Sequence, residues 1–170
     1  GMVDRWGRSA EAALNVFNLT EENDPHRSEA ARSYYRDMVP ELYSRQAMQA
    51  RPEMINLRLK VFSDIAHKDF FVGFLGLVQM FKRLGSVERL SGQIRYIQAP
   101  TLVIAAEMDT IKPPEFSQKI AYEIPSAEYQ CIPGAGHAVL LESPAELAHR
   151  LFGFIQSAVL NAYEGVAIAQ

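Results

Sequence analysis

The chain has 170 residues, 48% of them hydrophobic, enough to fill a core, which excludes disordered, collagen-like and coiled-coil classes. Lys and Arg total 17 against 20 Asp and Glu, a formal net charge of -3. No global basic field exists to hold a nucleic-acid backbone, and beyond residue 100 acidic side chains predominate, which argues against an anionic membrane surface there. One cysteine, Cys131, cannot make an internal disulfide or a structural zinc site, and a cytoplasmic location fits. The start, Gly1-Met2-Val3-Asp4-Arg5-Trp6, lacks the basic and apolar regions of a signal peptide, and Gly1 reads as a residue left by tag removal ahead of Met2.

Residues 8–99 read as helices in series. Ala10, Ala13, Leu14 and Phe17 recur at three and four, the spacing of one helix face, with Ser9 as the cap and a turn at Glu21-Glu22-Asn23-Asp24-Pro25. A second helix opens at Ser28-Glu29 and carries Ala31, Tyr34, Tyr35 and Met38; Pro40 interrupts or kinks it before it resumes through Leu42 and Met48. Pro52 suits the first turn of a third, with Ile55, Leu59 and Phe62 inward. The fourth, Lys68 to Leu84, is apolar nearly all round from Phe70 to Phe81, so it should be covered on more than one side. Its apolar run is too short to span a bilayer. Ser86 to Leu90 reads as a short turn.

At Ile97 the pattern changes. Pro100-Thr101-Leu102-Val103-Ile104-Ala105-Ala106 is a continuous apolar, β-branched run ending at Glu107-Met108-Asp109, the pattern of a strand buried on both faces and therefore parallel. Pro113-Pro114 start a helix through Phe116, Ile120 and Ile124. Ala127 to Ile132 is a second strand, closed by Pro133-Gly134-Ala135-Gly136-His137. Ser143-Pro144 cap a last helix with Leu147, Leu151, Phe154, Ile155 and Val159 inward. Strand, helix, strand, helix demands a parallel crossover. The expected division is a helical region over 1–97 and an α/β region over 98–170.

Functional side chains in a parallel α/β unit collect at the carboxyl ends of the strands. Asp109 and His137 both fall there. A carboxylate and an imidazole at neighbouring strand ends can share a hydrogen bond, the acid fixing the tautomer and stabilising the imidazolium. Each also has an ordinary reading: Asp109 as a turn residue or N-cap ahead of Thr110-Ile111-Lys112, His137 as a satisfied loop histidine. His26 and His149 read as solvated. Asp64 and His67 are three apart on a helix and could touch, but no third ligand has suitable spacing, so neither a metal nor another cofactor is expected. Tyr34, Tyr35, Met38, Met48 and Met54 read as core or as the lining of a pocket for a small apolar ligand.

Ala99 to Asp109, Lys112-Pro113-Pro114, and Ile132-Pro133-Gly134-Ala135-Gly136-His137 through Glu142-Ser143-Pro144 together resemble the last two strands and helices of the α/β-hydrolase fold. The helices ahead of them, with Val87-Glu88-Arg89-Leu90 and Ile94, are similar to the cap of esterases, enol-lactonases and haloperoxidase-like members. The resemblance implies a truncated α/β-hydrolase fold in which Asp109 is the triad acid and His137 the general base. It also implies a Gly-x-Ser-x-Gly nucleophile elbow and an oxyanion hole, and this sequence has neither. Gly7-Arg8-Ser9-Ala10-Glu11 is the nearest string, but no strand precedes it. Cys131 lies inside a strand and reads as a small buried hydrophobe.

Two functions follow. One is a folded, self-associating module, a homodimer because the orphaned strand edge needs a partner, inactive alone. The other is the C-terminal half of a split ester or lactone hydrolase, completed by a separate chain that carries the nucleophile.

Overall fold

The computed structural model describes residues 1–84 and 90–167, with side chains described for 1–84 and 92–160. The described helices and strands fall into two compact units. The first comprises 1–40 and 48–88; the second comprises 41–47 and 89–170.

In the first unit, α1 (Met2–Leu19) carries Gly7, Ala10, Ala13 and Phe17 on its buried face. The helix begins well before Ser9, so Ser9 is not its cap. Val3, Trp6 and Ala10 extend the three-and-four spacing toward the N-terminus, and the Ser9 hydroxyl instead donates to Asp37 at 2.7 Å. Small residues on α1 permit a close approach to α5 (Lys68–Leu84); a Cβ on Gly7 would lie 3.3 Å from Val78. α2 (Pro25–Leu42) starts at Pro25 rather than Ser28 and runs through Pro40 without ending. Its first turn is held by Asp24, whose carboxylate accepts from the His26 amide at 2.8 Å. α3 (Arg45–Ala50) is a separate short helix whose first half, through Ala47, belongs to the second unit, and α4 (Pro52–Ile65) has Pro52 in its first turn.

The core of this unit is aromatic. Phe71 and Tyr34 are fully buried, and Tyr34 meets Phe62, Phe70, Phe71 and Phe74 at ring separations of 5.2–5.8 Å. Such stacked and edge-on pairs add about 0.5–1.5 kcal/mol each beyond area burial. The Tyr35 ring lies tilted against Phe62 at 5.2 Å, at the edge of the cluster. Tyr34 and Met38 are buried core residues, and Tyr35 is half-buried beside them. Contrary to the expectation of cover on several sides, α5 buries only Phe71 and Val78. Phe70, Val72, Leu77, Met80, Phe81 and Leu84 are exposed. Its apolar circumference exceeds what the neighbouring helices cover.

In the second unit a 3-10 helix (Leu90–Tyr96) leads toward β1 (Thr101–Ala106). The turn expected over Ser86–Leu90 lies outside the described residues except for Leu90. β1 pairs in parallel with β2 (Ala127–Ile132) from Thr101↔Ala127 to Ala106↔Ile132, the connection passing through α6 (Pro114–Glu123). This two-stranded sheet is buried only toward its carboxyl end, at Ala105, Ala106 and Ile132; the rest of β1 is half-buried rather than covered on both faces. Cys131 is likewise only half-buried. The local core is small: Ala106, Ile132 and Ala135, with Ile104, Val139 and Leu147 against it. A short α7 (Val139–Glu142) precedes α8 (Pro144–Ala167). Leu147 and Phe154 are half-buried, but Leu151, Ile155 and Val159, expected to face inward, are exposed, as are Phe152 and Leu160 at 67% and 62%. Periodicity places an apolar stripe on a helix; it does not supply the surface that covers it.

Candidate active site

The carboxyl ends of the two strands are laced together beyond the sheet itself. The Glu107 amide donates to the Ile132 carbonyl at 3.0 Å and the Met108 amide to the Ala135 carbonyl at 2.8 Å. The Glu107 carboxylate reaches across to accept from the Gly134 amide at 2.8 Å. Gly134 has φ of 67°, a left-handed conformation that costs a residue with a Cβ about 1–2 kcal/mol. These bonds carry the chain following β1 and the chain following β2 side by side.

Asp109 and His137 meet there. His137 Nδ1 lies 2.8 Å from Asp109 Oδ2, while Asp109 Oδ1 accepts from the Ile111 and Lys112 amides, both at 2.8 Å. The two roles the sequence offers for Asp109, turn-former and histidine partner, are taken by different oxygens of one carboxyl group. The turn bonds lock the carboxyl plane, which leaves Oδ2 aimed at the ring. An ionised carboxylate only accepts hydrogen bonds, so Nδ1 is the donor and the lone pair of neutral His137 sits on Nε2. The Asp109 side chain is 10% exposed and that of His137 37%: the acid is shielded and the ring is open to solvent on one side.

The remaining candidates disperse. Ser9 is inside α1 and Cys131 within β2, neither at a strand-to-helix elbow. His26 pairs with Asp24 at 2.7 Å on the surface. His67 does not meet Asp64: its ring lies 3.3 Å from Asp69, and Asp64 is taken by Lys60 at 2.8 Å. His149 is exposed on α8. Among the described residues no three His, Cys, Asp or Glu side chains gather to hold a metal ion, and no helix is long and apolar enough to cross a membrane.

Sequence reading passed over Glu142. Its side chain is buried, the residue only 7% exposed. It accepts from the Ser44 amide at 3.0 Å, the Ser44 hydroxyl at 2.6 Å and the Gly136 amide at 3.1 Å. The available signal was a carboxylate closing the apolar run Val139-Leu140-Leu141, where a buried charge must find several donors.

The sequence matches no family model and no curated protein. Solved structures do resemble it. An alpha/beta hydrolase from a Medee basin deep-sea metagenome library superposes with a TM-score of 0.68 at 21% identity, covering 91% of this chain and 50% of that one. A thermophilic esterase from Thermogutta terrifontis gives 0.63 at 22%, covering 92% and 50%. The enol-lactonase from Burkholderia xenovorans gives 0.63 at 17%, covering 90% and 50%. The chain thus spans about half the length of the structures it matches, and over that half it has the α/β-hydrolase fold.

Proposed function

We propose that this chain supplies the acid and base of a serine-hydrolase-type triad, acting on carboxylic esters or lactones, to a nucleophile and oxyanion hole held outside these 170 residues. The observation that carries the reading is the Asp109–His137 hydrogen bond of 2.8 Å, with the second Asp109 oxygen fixed by two backbone amides. In that arrangement His137 Nε2 takes the proton of an incoming hydroxyl as its oxygen attacks the acyl carbon. Asp109 stabilises the resulting imidazolium, and Nε2–H returns the proton to the departing alkoxide. Without a nucleophile the covalent step is lost, and without an oxyanion hole so is the charge stabilisation. The chain alone is therefore expected to be catalytically inert.

A fusion tests this. The half of the Thermogutta esterase that this chain does not match is joined ahead of Gly1, and labelling by a fluorophosphonate probe is measured. The expected result is labelling of the fusion but not of the chain alone, with ester turnover falling by about 10⁴-fold in Asp109→Asn and at least as far in His137→Ala. Folded fusions that label equally well with and without His137 would overturn the reading, as would stoichiometric labelling of Ser9 in the chain alone.

A second reading, a non-catalytic module that self-associates as a homodimer, draws on the bare α8 stripe at Phe152, Ile155, Val159 and Leu160. β1, hydrogen-bonded to β2 in a two-stranded sheet, adds an edge that a second copy can cover. Light scattering after size exclusion decides it: a monomer at micromolar concentration rejects the homodimer.

A further inference from the structure

We infer that Glu142 is the positioning residue for His137, holding the turn that presents the ring through the Gly136 amide on one side and Ser44 on the other. This rests on the reading of His137 as the general base and adds a residue to its machinery. The turn is anchored on both flanks of the histidine. Before it, Gly136 N–H donates to Glu142 Oε2 at 3.1 Å; after it, Ala138 N–H donates to the Leu42 carbonyl at 2.7 Å. Both anchors lead to one short segment, because Glu142 also accepts the Ser44 amide and hydroxyl, and the Ser44 hydroxyl oxygen in turn accepts from the Ala47 amide at 3.1 Å.

The fit leaves no slack. A Cβ on Gly136 would lie 2.5 Å from the Ser44 nitrogen, 2.8 Å from Glu142 Oε1 and 2.9 Å from the Tyr43 carbonyl carbon. Backbone approaches backbone here, and the carboxylate fills the gap with acceptors alone. The Ser44 amide and hydroxyl and the Gly136 amide converge on it, the two backbone amides with fixed directions. An amide in its place presents N–H to at least one of those two, leaving a buried donor facing a donor. The mobile Ser44 hydroxyl can turn away; the Gly136 and Ser44 amides cannot. The consequence falls on Gly136, whose neighbour is His137.

The test uses the full chain labelled with 15N. In the wild type, a slowly exchanging Nδ1–H correlation from His137 that Asp109→Asn abolishes is the signature of the pair; its absence would overturn the proposed function rather than the role of Glu142. In Glu142→Gln that correlation is expected to broaden or vanish, and exchange of the Gly136 and Ala138 amides to rise by about tenfold or more. Ile124→Val, in the same unit and away from the turn, is expected to lower stability while leaving the correlation sharp. Should Glu142→Gln fail to fold, Ser44→Ala removes one of the donors to Glu142, and with it the acceptor of the Ala47 amide, and is expected to raise Gly136 exchange less, with Nδ1–H weakened. Retention of a wild-type His137 correlation and wild-type Gly136 exchange in Glu142→Gln, or in Ser44→Ala where that variant must be used, overturns the inference.

Discussion

The two units are held by different means. The helical unit is built on volume: Phe71 is wholly buried and touches Phe17, Tyr34, Phe62 and Phe70. Polar precision matters little in that core, since the Tyr34 hydroxyl is buried with no hydrogen-bond partner, and burial pushes its ionisation well above the usual phenol range. The strand unit has a core of mostly small side chains, yet Asp109, His137 and Glu142 are tied in by hydrogen bonds of 2.6–3.1 Å. Apolar cover and polar geometry are thus separable: a site can be finely set in a unit whose sheet and long helix are only partly covered.

The largest test of that contrast is Phe71→Ala, expected to cost about 3–5 kcal/mol in urea unfolding followed by helical circular dichroism. A loss below about 1 kcal/mol would mean that the aromatic cluster is not what holds the helices. Glycines sharpen the comparison next. Gly136→Ala forces its Cβ against Ser44 and Tyr43 backbone and is expected to cost about 3 kcal/mol. Gly76→Ala, on α5 with nothing within 4 Å of the new Cβ, should instead gain about 0.5–1 kcal/mol from helix propensity. Equal effects at the two sites would erase the distinction.

Tyr34→Phe removes an unpartnered hydroxyl and is expected to be neutral or stabilising by up to about 1 kcal/mol; destabilisation beyond that would give the helical core a polar bond it must keep. The smallest effect belongs to Asp4, whose carboxyl is held below its ordinary value of 3.8 chiefly by a hydrogen bond from Lys82, at 2.7 Å. A lowered carboxyl value stabilises the fold above pH 3.8, and the contribution disappears as the pH falls through the folded value. Asp4→Asn should therefore lower the melting temperature slightly near pH 7, less in high salt, and not at all below the folded value.

Much of this molecule is legible from local pattern. Lys68–Leu84 and Ala127–Ile132 emerge with the bounds the sequence suggests, because Pro and charged residues punctuate them and their interiors are strongly apolar. Asp109 and His137 are found because strand ends are where parallel units gather chemistry. The start of α1 is missed since no Ser, Thr, Asp or Asn immediately precedes Met2 to announce it, and Ser9, further along, mimics a cap. Burial on α5 and α8 is misjudged for another reason: an apolar stripe states a need for cover, and only tertiary contacts answer it. Glu142 is hidden because its meaning depends on Ser44, and no local window contains both.

That separation has a kinetic consequence. Asp109 and His137 are 28 residues apart, whereas Glu142 and Ser44 are 98 apart. Closing the longer loop costs about 1 kcal/mol more chain entropy than closing the shorter, and long-range closures come late in folding. During synthesis the Ser44 segment emerges early and must wait for Glu142. On chain entropy alone, the acid and base are expected to pair before the turn beneath the ring is tightened. The expected order of condensation therefore runs from an approximate histidine to an exact one.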